Sequence, residues 1–463
     1  MSATFTGLRE FIELLKSEGE LACIQQPVAL DQELGAVCVR SLRGRGPALM
    51  FERPGGNKIP ILANLLATRR RFALALGCSI QETHQEWNRR AAHPLPPVQV
   101  TKAPCQEHVY TADDVDLGML PAPIWNKLDG GPYITLSCHI TKDTKTGIRN
   151  VGVYRNQVHD RNTLGLLAGP YTHIRLQHRY EPDKPFPVAI AIGADPRLVM
   201  AASSPLPFEM DELAMAGALR GKPFEVVPCK TQPLEVPADA ELVLEGEVRP
   251  AELREEGPFG EFTGHYGGPR LARSTIHITA ITHRHKPILH LAYQGAPPHE
   301  TDVLTAVGKE AEIMRTVALP GIHDVHITEG GCGVLHVVVA VEKLYEGFGK
   351  SVGMAVLGTP AGRHFKLVTV VDHDVDPYDP LAVEWAIATR VQAKRDIDII
   401  SGVTGIFLDP SMPEEEQKGP ARTDKMIIDA TRYNAKSYPE VCLPADEAMA
   451  KVEQEWERYG VRL

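Results

Sequence analysis

The chain has no CxxC pair; its eight cysteines, at positions 23, 38, 78, 105, 138, 229, 332 and 442, are scattered. Neither a zinc ribbon nor a redox dithiol is indicated, and reduced thiols in a cytoplasmic setting are the simplest expectation. Positive charge is not in excess. The formal net charge of -10 excludes a broad basic surface for nucleic acid, leaving room only for a local basic pocket. Long apolar runs are missing as well: VLHVVVAV at 334–341 falls far short of the ~20 residues of a membrane span. The opening MSATFTGLREFIELL carries acids inside its apolar pattern and has no basic start followed by a small-residue cleavage site, so no signal peptide is expected. There is no internal repeat, no low-complexity tract and no HExxH.

What is present is an ordinary globular composition, 43% hydrophobic and 23% charged over 463 residues. At roughly 150 residues per domain, about three domains are expected. Residues 6–18 read as an amphipathic helix with Leu8, Phe11, Ile12 and Leu15 on one face, Thr6 as N-cap and Gly19 as stop. A second helix begins near Asp31, and PALMFE (47–52) and IPILAN (59–64) read as strand, turn, strand. This alternation predicts an N-terminal α/β domain over 1–108. From 109 to 312 short β-rich runs dominate, with one helix standing out near 209–220, which suggests a β-barrel or a strongly curved sheet. An α/β pattern returns over 313–440, with LAVEWAIATRVQA (381–393) its clearest helix and 409–423 a loop. A terminal helix is expected within 441–463, available for docking on a partner subunit.

Four segments bear chemistry. EEGPFGEFTGHYGG (255–268) places Glu256 and Glu261 five residues apart on glycine-rich backbone. Two acids brought into one pocket raise each other's proton affinity, as a general acid requires; the bland alternative is a solvated turn. RNVGVYR (149–155) alternates like a strand, sends Tyr154 and Arg155 to opposite faces and offers a guanidinium for carboxylate or phosphate; strands also carry ordinary surface arginines. LLAGPYTHIRLQH (166–178) presents Thr172 and His173 after a Gly-Pro turn, and a lone histidine is commonly just packed or exposed. ASSPLPFEMDELAMAGALRG (202–221) holds Glu209, Asp211 and Glu212 at a helix start, which the helix dipole alone would favour.

Together, in this order and spacing, the segments resemble the UbiD family of reversible decarboxylases, which use prenylated FMN. The matching residues are Asn150-Val-Gly-Val-Tyr-Arg155, His173, the acid before AGALRG (Glu212), and the E-G-P-x-G-E run from Glu256 to Glu261. KLVTVVDHDVD (366–376), EWAIATR (384–390) and KMIIDAT (425–431) resemble the family's C-terminal region. The likeness covers most of the chain. It implies a central split β-barrel flavin-binding domain and a C-terminal α/β oligomerisation domain.

The resemblance also implies roles. Asn150, His173 and Glu212 would be ligands of Mn²⁺ or Mg²⁺ that ties the cofactor phosphate to the protein, with K⁺ close by and held by backbone around Ser203. Val153, Tyr154, Arg155, Leu167, Ala168, Gly169 and Thr172 would contact the flavin, and Lys366 would lie near its phosphate. Arg155, Glu256 and Glu261 would form the catalytic group. Decarboxylation at an sp² carbon leaves an unstable carbanion, and the modified flavin provides the electron sink through a covalent adduct with the substrate. Arg155 would pair with the substrate carboxylate or hold Glu256, and Glu261 would protonate the carbon that CO₂ leaves.

The implied substrate is an aromatic or heteroaromatic acid, hydroxylated ones included. Gln294, His299 and Glu300 are expected to give its pocket polar groups, and a decarboxylase of cinnamic-type acids is the neighbouring alternative. From other classes, a split-barrel oxidoreductase using plain FMN, a non-catalytic subunit and a zinc hydrolase built on HDVHIT and TEGGCGVLH (323–336) stay open. A flavin prenyltransferase would supply the cofactor, and a homodimer or homohexamer is expected.

Overall fold

The structure is a computed structural model that describes residues 5–169, 172–413, 421–434 and 437–461. The first helix, Leu8–Ser17, buries the four expected residues Leu8, Phe11, Ile12 and Leu15. Its N-cap is Gly7, not Thr6. The Thr6 amide and hydroxyl both donate to Glu10 Oε2, at 2.6 and 3.0 Å, which turns Thr6 back onto the helix from outside. The second helix runs Glu33–Arg43. Strands Leu21–Ile24, Ala48–Phe51 and Ile61–Ala63 form a sheet whose fourth strand, Leu289–His290, arrives from the far end of the central region.

The central sheet is antiparallel. Its spatial order is His108–Thr111, Leu271–His283, Leu242–Glu256, Phe186–Ile192, Tyr133–Lys142 and Arg149–Gln157, with Thr163–Leu166 on the open end of Leu271–His283. The split-barrel expectation meets no closed barrel among the described residues. Between Arg149–Gln157 and Thr163–Leu166 the backbone makes one isolated bridge, Val158 to Leu164. Beyond it the Asn156 side-chain amide donates to the Gly165 carbonyl at 2.9 Å, where a backbone ladder would otherwise continue. The long strand Leu242–Glu256 slips register between Arg249 and Leu253. Pro250 lies in that slip and has no N–H to pair, and a bulge of this kind re-aims the remainder of its strand, here the end bearing Glu256.

The expected helix near 209–220 spans Glu212–Arg220, but two shorter helices, His173–Gln177 and Pro196–Ala202, accompany it. Nearly all of Pro196–Ala202 is buried, so it carries no amphipathic period that would have announced it. The C-terminal sheet has the order Ile322–Ile327, His336–Val341, Leu367–Asp372, Arg422–Ala430, Ile397–Thr404, with its three inner strands parallel. Alternate residues of the strand His336–Val341 feed two cores, Val337, Val339 and Val341 on one face and Val338 and Ala340 on the other. A strand covered on both sides can be valine almost throughout.

One buried charge cluster ties the first domain to the last. Arg69 donates to both carboxylate oxygens of Glu310, at 2.8 and 2.5 Å, and lies 2.8 Å from His326 Nδ1. His84 adds a bond to Glu310 at 2.9 Å. With His326 engaged there and His336 bonded to Thr369 at 3.0 Å, these two histidines serve packing between elements, and no group of three or more His, Cys, Asp or Glu suited to a metal occurs among the described residues.

Candidate active site

Arg155 leaves the strand Arg149–Gln157 and reaches two acids that arrive separately. Its Nη1 donates to Glu261 Oε1 and its Nε stands 3.5 Å from Glu256 Oε1. Phe259, between the two acids in sequence, lies under the guanidinium at 4.9 Å. Glu256 ends its strand, and Glu261 is held by the turn after it, its own N–H donating to the His265 carbonyl at 2.9 Å. The positive φ values of Gly257, Gly264 and Gly268 make that turn feasible. The side chains of Glu256 and Glu261 are only 1% and 7% exposed, so this is not a solvated turn. Burial pushes both carboxyls above the ordinary glutamate value, against the opposing pull of Arg155. One guanidinium between two buried acids favours a state in which one acid keeps its proton.

On the other flank, Glu212 opens its helix and is buried. Its Oε2 accepts the Val151 N–H at 2.7 Å, which brings it beside Asn150, and its Oε1 lies 3.8 Å from His173 Nδ1. The Asn150 amide nitrogen is buried with no hydrogen-bond partner among the described residues. An amide flip would present the oxygen instead, and an unmet amide beside a carboxylate and an imidazole suits a hard divalent ion completed by phosphate oxygens. Tyr154 curls back over its own strand: a Cβ on Gly152 would meet the Tyr154 ring at 2.7 Å. Thr172 caps the His173 helix and donates to the Gly169 carbonyl at 2.7 Å.

Most of the chain is matched by one family's models: the N-terminal, Rift-related and C-terminal domains of 3-octaprenyl-4-hydroxybenzoate carboxy-lyase, at residues 12–91, 97–297 and 302–430. The chain belongs to the UbiD family of carboxy-lyases. Among UbiD-class structures it is similar to HmfF from Pelotomaculum thermopropionicum in complex with FMN, at 33% identity over 96% of this chain and 100% of that one, with a TM-score of 0.88. The vanillic acid decarboxylase of Sedimentibacter hydroxybenzoicus in open form matches at 33% identity, 99% of each chain and a TM-score of 0.85. The 3,4-dihydroxybenzoic acid decarboxylase of Klebsiella pneumoniae matches at 30% identity over 96% of this chain and 98% of that one, with a TM-score of 0.86. An evolved dimeric HmfF is also known with prFMN.

Within this UbiD fold the remaining expected residues divide. Val153, Leu167, Ala168 and Gly169 are half-buried on the segments flanking Tyr154 and Thr172. Gly169 faces Phe407 of the C-terminal domain, whose ring carbon would lie 3.5 Å from an added Cβ. Lys366 belongs to that domain, ion-paired to Asp409 at 2.7 Å and bonded to Ser411 at 2.5 Å. Ser203 caps the Pro196–Ala202 helix.

The expectation that His299 and Glu300 give the substrate pocket polar groups is corrected. Glu300 is fully buried, accepting from the Leu65 and Leu66 amides at 3.0 and 2.8 Å and contacting His290 at 3.0 Å. His299 is held by the Phe262 carbonyl at 2.9 Å and by Thr301 at 2.7 Å, and burial lowers its pKa to about 4, so it is a neutral strut for the acid-bearing turn. Gln294 donates to Thr301 at 3.1 Å. A residue that sequence reasoning missed is Arg273, paired across strands with Arg254 and close enough to Glu256, Glu261 and Arg155 to share their field. Only the hairpin register reveals it.

Proposed function

We propose that this protein catalyses reversible, non-oxidative decarboxylation of an aromatic or heteroaromatic carboxylic acid with prenylated FMN, and that Glu261 is the proton donor. The observation that carries this is Arg155 held between two buried acids of raised proton affinity. The reaction consumes one proton: carboxylate plus proton gives the C–H product and CO₂. Glu261 supplies that proton from a dry site, where burial keeps it protonated nearer neutrality than a surface glutamate. Arg155 receives the substrate carboxylate, and Glu256 holds Arg155 in place. The prenylated flavin, when bound, supplies an electron sink through covalent attachment to the substrate.

Asn150, His173 and Glu212 would hold Mn²⁺ or Mg²⁺, with K⁺ near Ser203. Tyr154, Thr172 and their neighbours would line the flavin, and Lys366 would approach its phosphate from the C-terminal domain. Relatives named for vanillic and 3,4-dihydroxybenzoic acid support a hydroxylated aromatic substrate. A flavin prenyltransferase would provide the cofactor. A second copy of the chain would cover the C-terminal domain, where Leu381, Trp385, Ile399 and Leu443 are 46 to 74% exposed and the Asp446–Gln454 helix buries no residue. No helix among the described residues is long and apolar enough to cross a membrane.

The test is the mass of the flavin released from protein co-expressed with a flavin prenyltransferase, followed by a panel of aromatic acids with Glu261→Gln as control. Prenyl-FMN, with turnover that falls by ~10²–10⁴ in the variant, is expected. Plain FMN at high occupancy with no acid turned over would overturn the reading in favour of a flavin oxidoreductase.

A further inference from the structure

The Glu256 carboxylate is not fully accounted for by Arg155. Its Oε1 faces the guanidinium at 3.5 Å, yet neither oxygen has a hydrogen-bond partner among the described residues although the side chain is 1% exposed. A second buried polar atom without a partner among the described residues is His159 Nε2. The two meet over one residue, Gly165. A Cβ built there would lie 2.5 Å from Glu256 Oε2 and 3.0 Å from His159 Nε2, which places the two atoms no more than about 5.5 Å apart by adding the distances. That span is closed by one water or by a small side-chain rotation.

Gly165 sits inside Thr163–Leu166, paired with Thr275, and its φ is not in the left-handed region. Its backbone does not need glycine; the two side chains that press on it do. A glycine in a strand interior commonly marks such a close approach. The other charged groups facing this spot are committed elsewhere. Asp160 accepts from Arg254 at 2.5 Å and from the Asn162 amide at 3.1 Å. Arg270 donates to the Gly257 and Gly130 carbonyls, both at 3.2 Å. Arg155, Arg273 and Glu261 are the other charged groups whose field reaches Glu256.

We propose that His159 is the second hydrogen-bonding partner of Glu256, linked to its Oε2 across Gly165, and that it is a positioning residue holding this carboxylate at the angle that meets Arg155. A buried polar group left unmet is costly, so the fold gains by joining the two. Burial and Arg254 hold the imidazole below its ordinary value, so at neutral pH a neutral ring faces the acid, able to donate to its ionised form or accept from its protonated one.

The role of this link in turnover rests on the decarboxylase reading; the link itself does not. The experiment is ¹⁵N-histidine NMR titration of the full-length protein as purified with its flavin, with the His159 resonance assigned by its loss in H159Q. In E256Q the His159 pKa is expected to fall by about half a unit or more, because a carboxylate partner is gone. In G165A, where the new methyl forces the pair apart, the resonance is expected to shift in the same sense. A shift in either variant supports the link, and an unchanged titration in both overturns it. In the active enzyme H159Q is further expected to move the acid limb of the kcat/KM profile without changing flavin content. If no acid is turned over at all, the proposed function fails while the NMR result stands on its own.

Discussion

Gly267→Ala should disable the enzyme from outside the proposed catalytic group. A Cβ at this position would lie 2.6 Å from Glu261 Cγ, 2.9 Å from its Oε1 and 3.0 Å from Leu408 Cδ2. Carbon atoms pack at ~3.5–4.0 Å, so the Glu261 stem must withdraw by about 0.9 Å. Leu408 crowds the same methyl as well, which leaves it little room to relieve the clash by moving. The φ of Gly267 is not left-handed, so alanine adds no backbone strain and the effect is purely steric. Overpacking of this kind costs about 1–3 kcal/mol, which lowers the melting temperature but leaves a folded enzyme at assay temperature. A proton donor misplaced by about 1 Å loses on the order of 10² in rate. Steady-state decarboxylation of the preferred acid measures it, with E261Q as the floor and flavin absorbance as the control. Asn150, His173 and Glu212 lie on other elements, so flavin content should hold. Wild-type kcat in G267A would refute the claim that Glu261 must sit where this turn puts it.

Three further outcomes are expected from the same geometry. R155K keeps the charge but replaces the fork that spans Glu256 and Glu261 with one ammonium; kcat should drop on the order of 10² with flavin retained, and a near-wild-type rate would mean that two-sided pairing is unnecessary. E300A leaves the buried Leu65 and Leu66 amides without an acceptor, at about 1–3 kcal/mol each; a clear fall in the thermal unfolding midpoint is expected, and no change would show that water replaces the carboxylate freely. His84 loses by burial but gains more from hydrogen bonds to Asp324 and Glu310, which raise its pKa from 6.5 to about 9. A raised histidine stabilises the fold fully below its unfolded value and loses that contribution as pH rises through the folded one, so stability should decline between pH 6.5 and about 9, and H84Q should flatten that limb in a denaturant series. An unaltered alkaline limb would remove His84 from the domain junction.

How much of the site was readable in advance varied with what each residue depends on. Asn150 and Arg155, or Glu256 and Glu261, are separated by a few residues along the chain, and their motif could be recognised. The N-terminal helix was readable because its apolar period of 3.6 belongs to the chain itself. Pro196–Ala202 was not, since burial on all sides erases the period. Glu300 and His299 looked like pocket residues because their polar groups suit a substrate pocket; the structure buries both, one under the Leu65 and Leu66 amides and the other under the Phe262 carbonyl.

By itself the sequence determined which chemical groups this protein owns, their order along the chain, and the family they mark. It also determined the local shapes, since a helical or strand period and a glycine turn are properties of neighbouring residues. Only the tertiary structure decided that Arg155 meets Glu261 from 106 positions away, that Arg273 and His159 stand beside the same acids, and that Gly165 and Gly267 are glycines for want of space. The reason is physical. Cross-strand neighbours are set by register, and one slip beside Pro250 re-aims the end of a strand. Such meetings are decided by the packing of the whole chain, and no local stretch of sequence contains them.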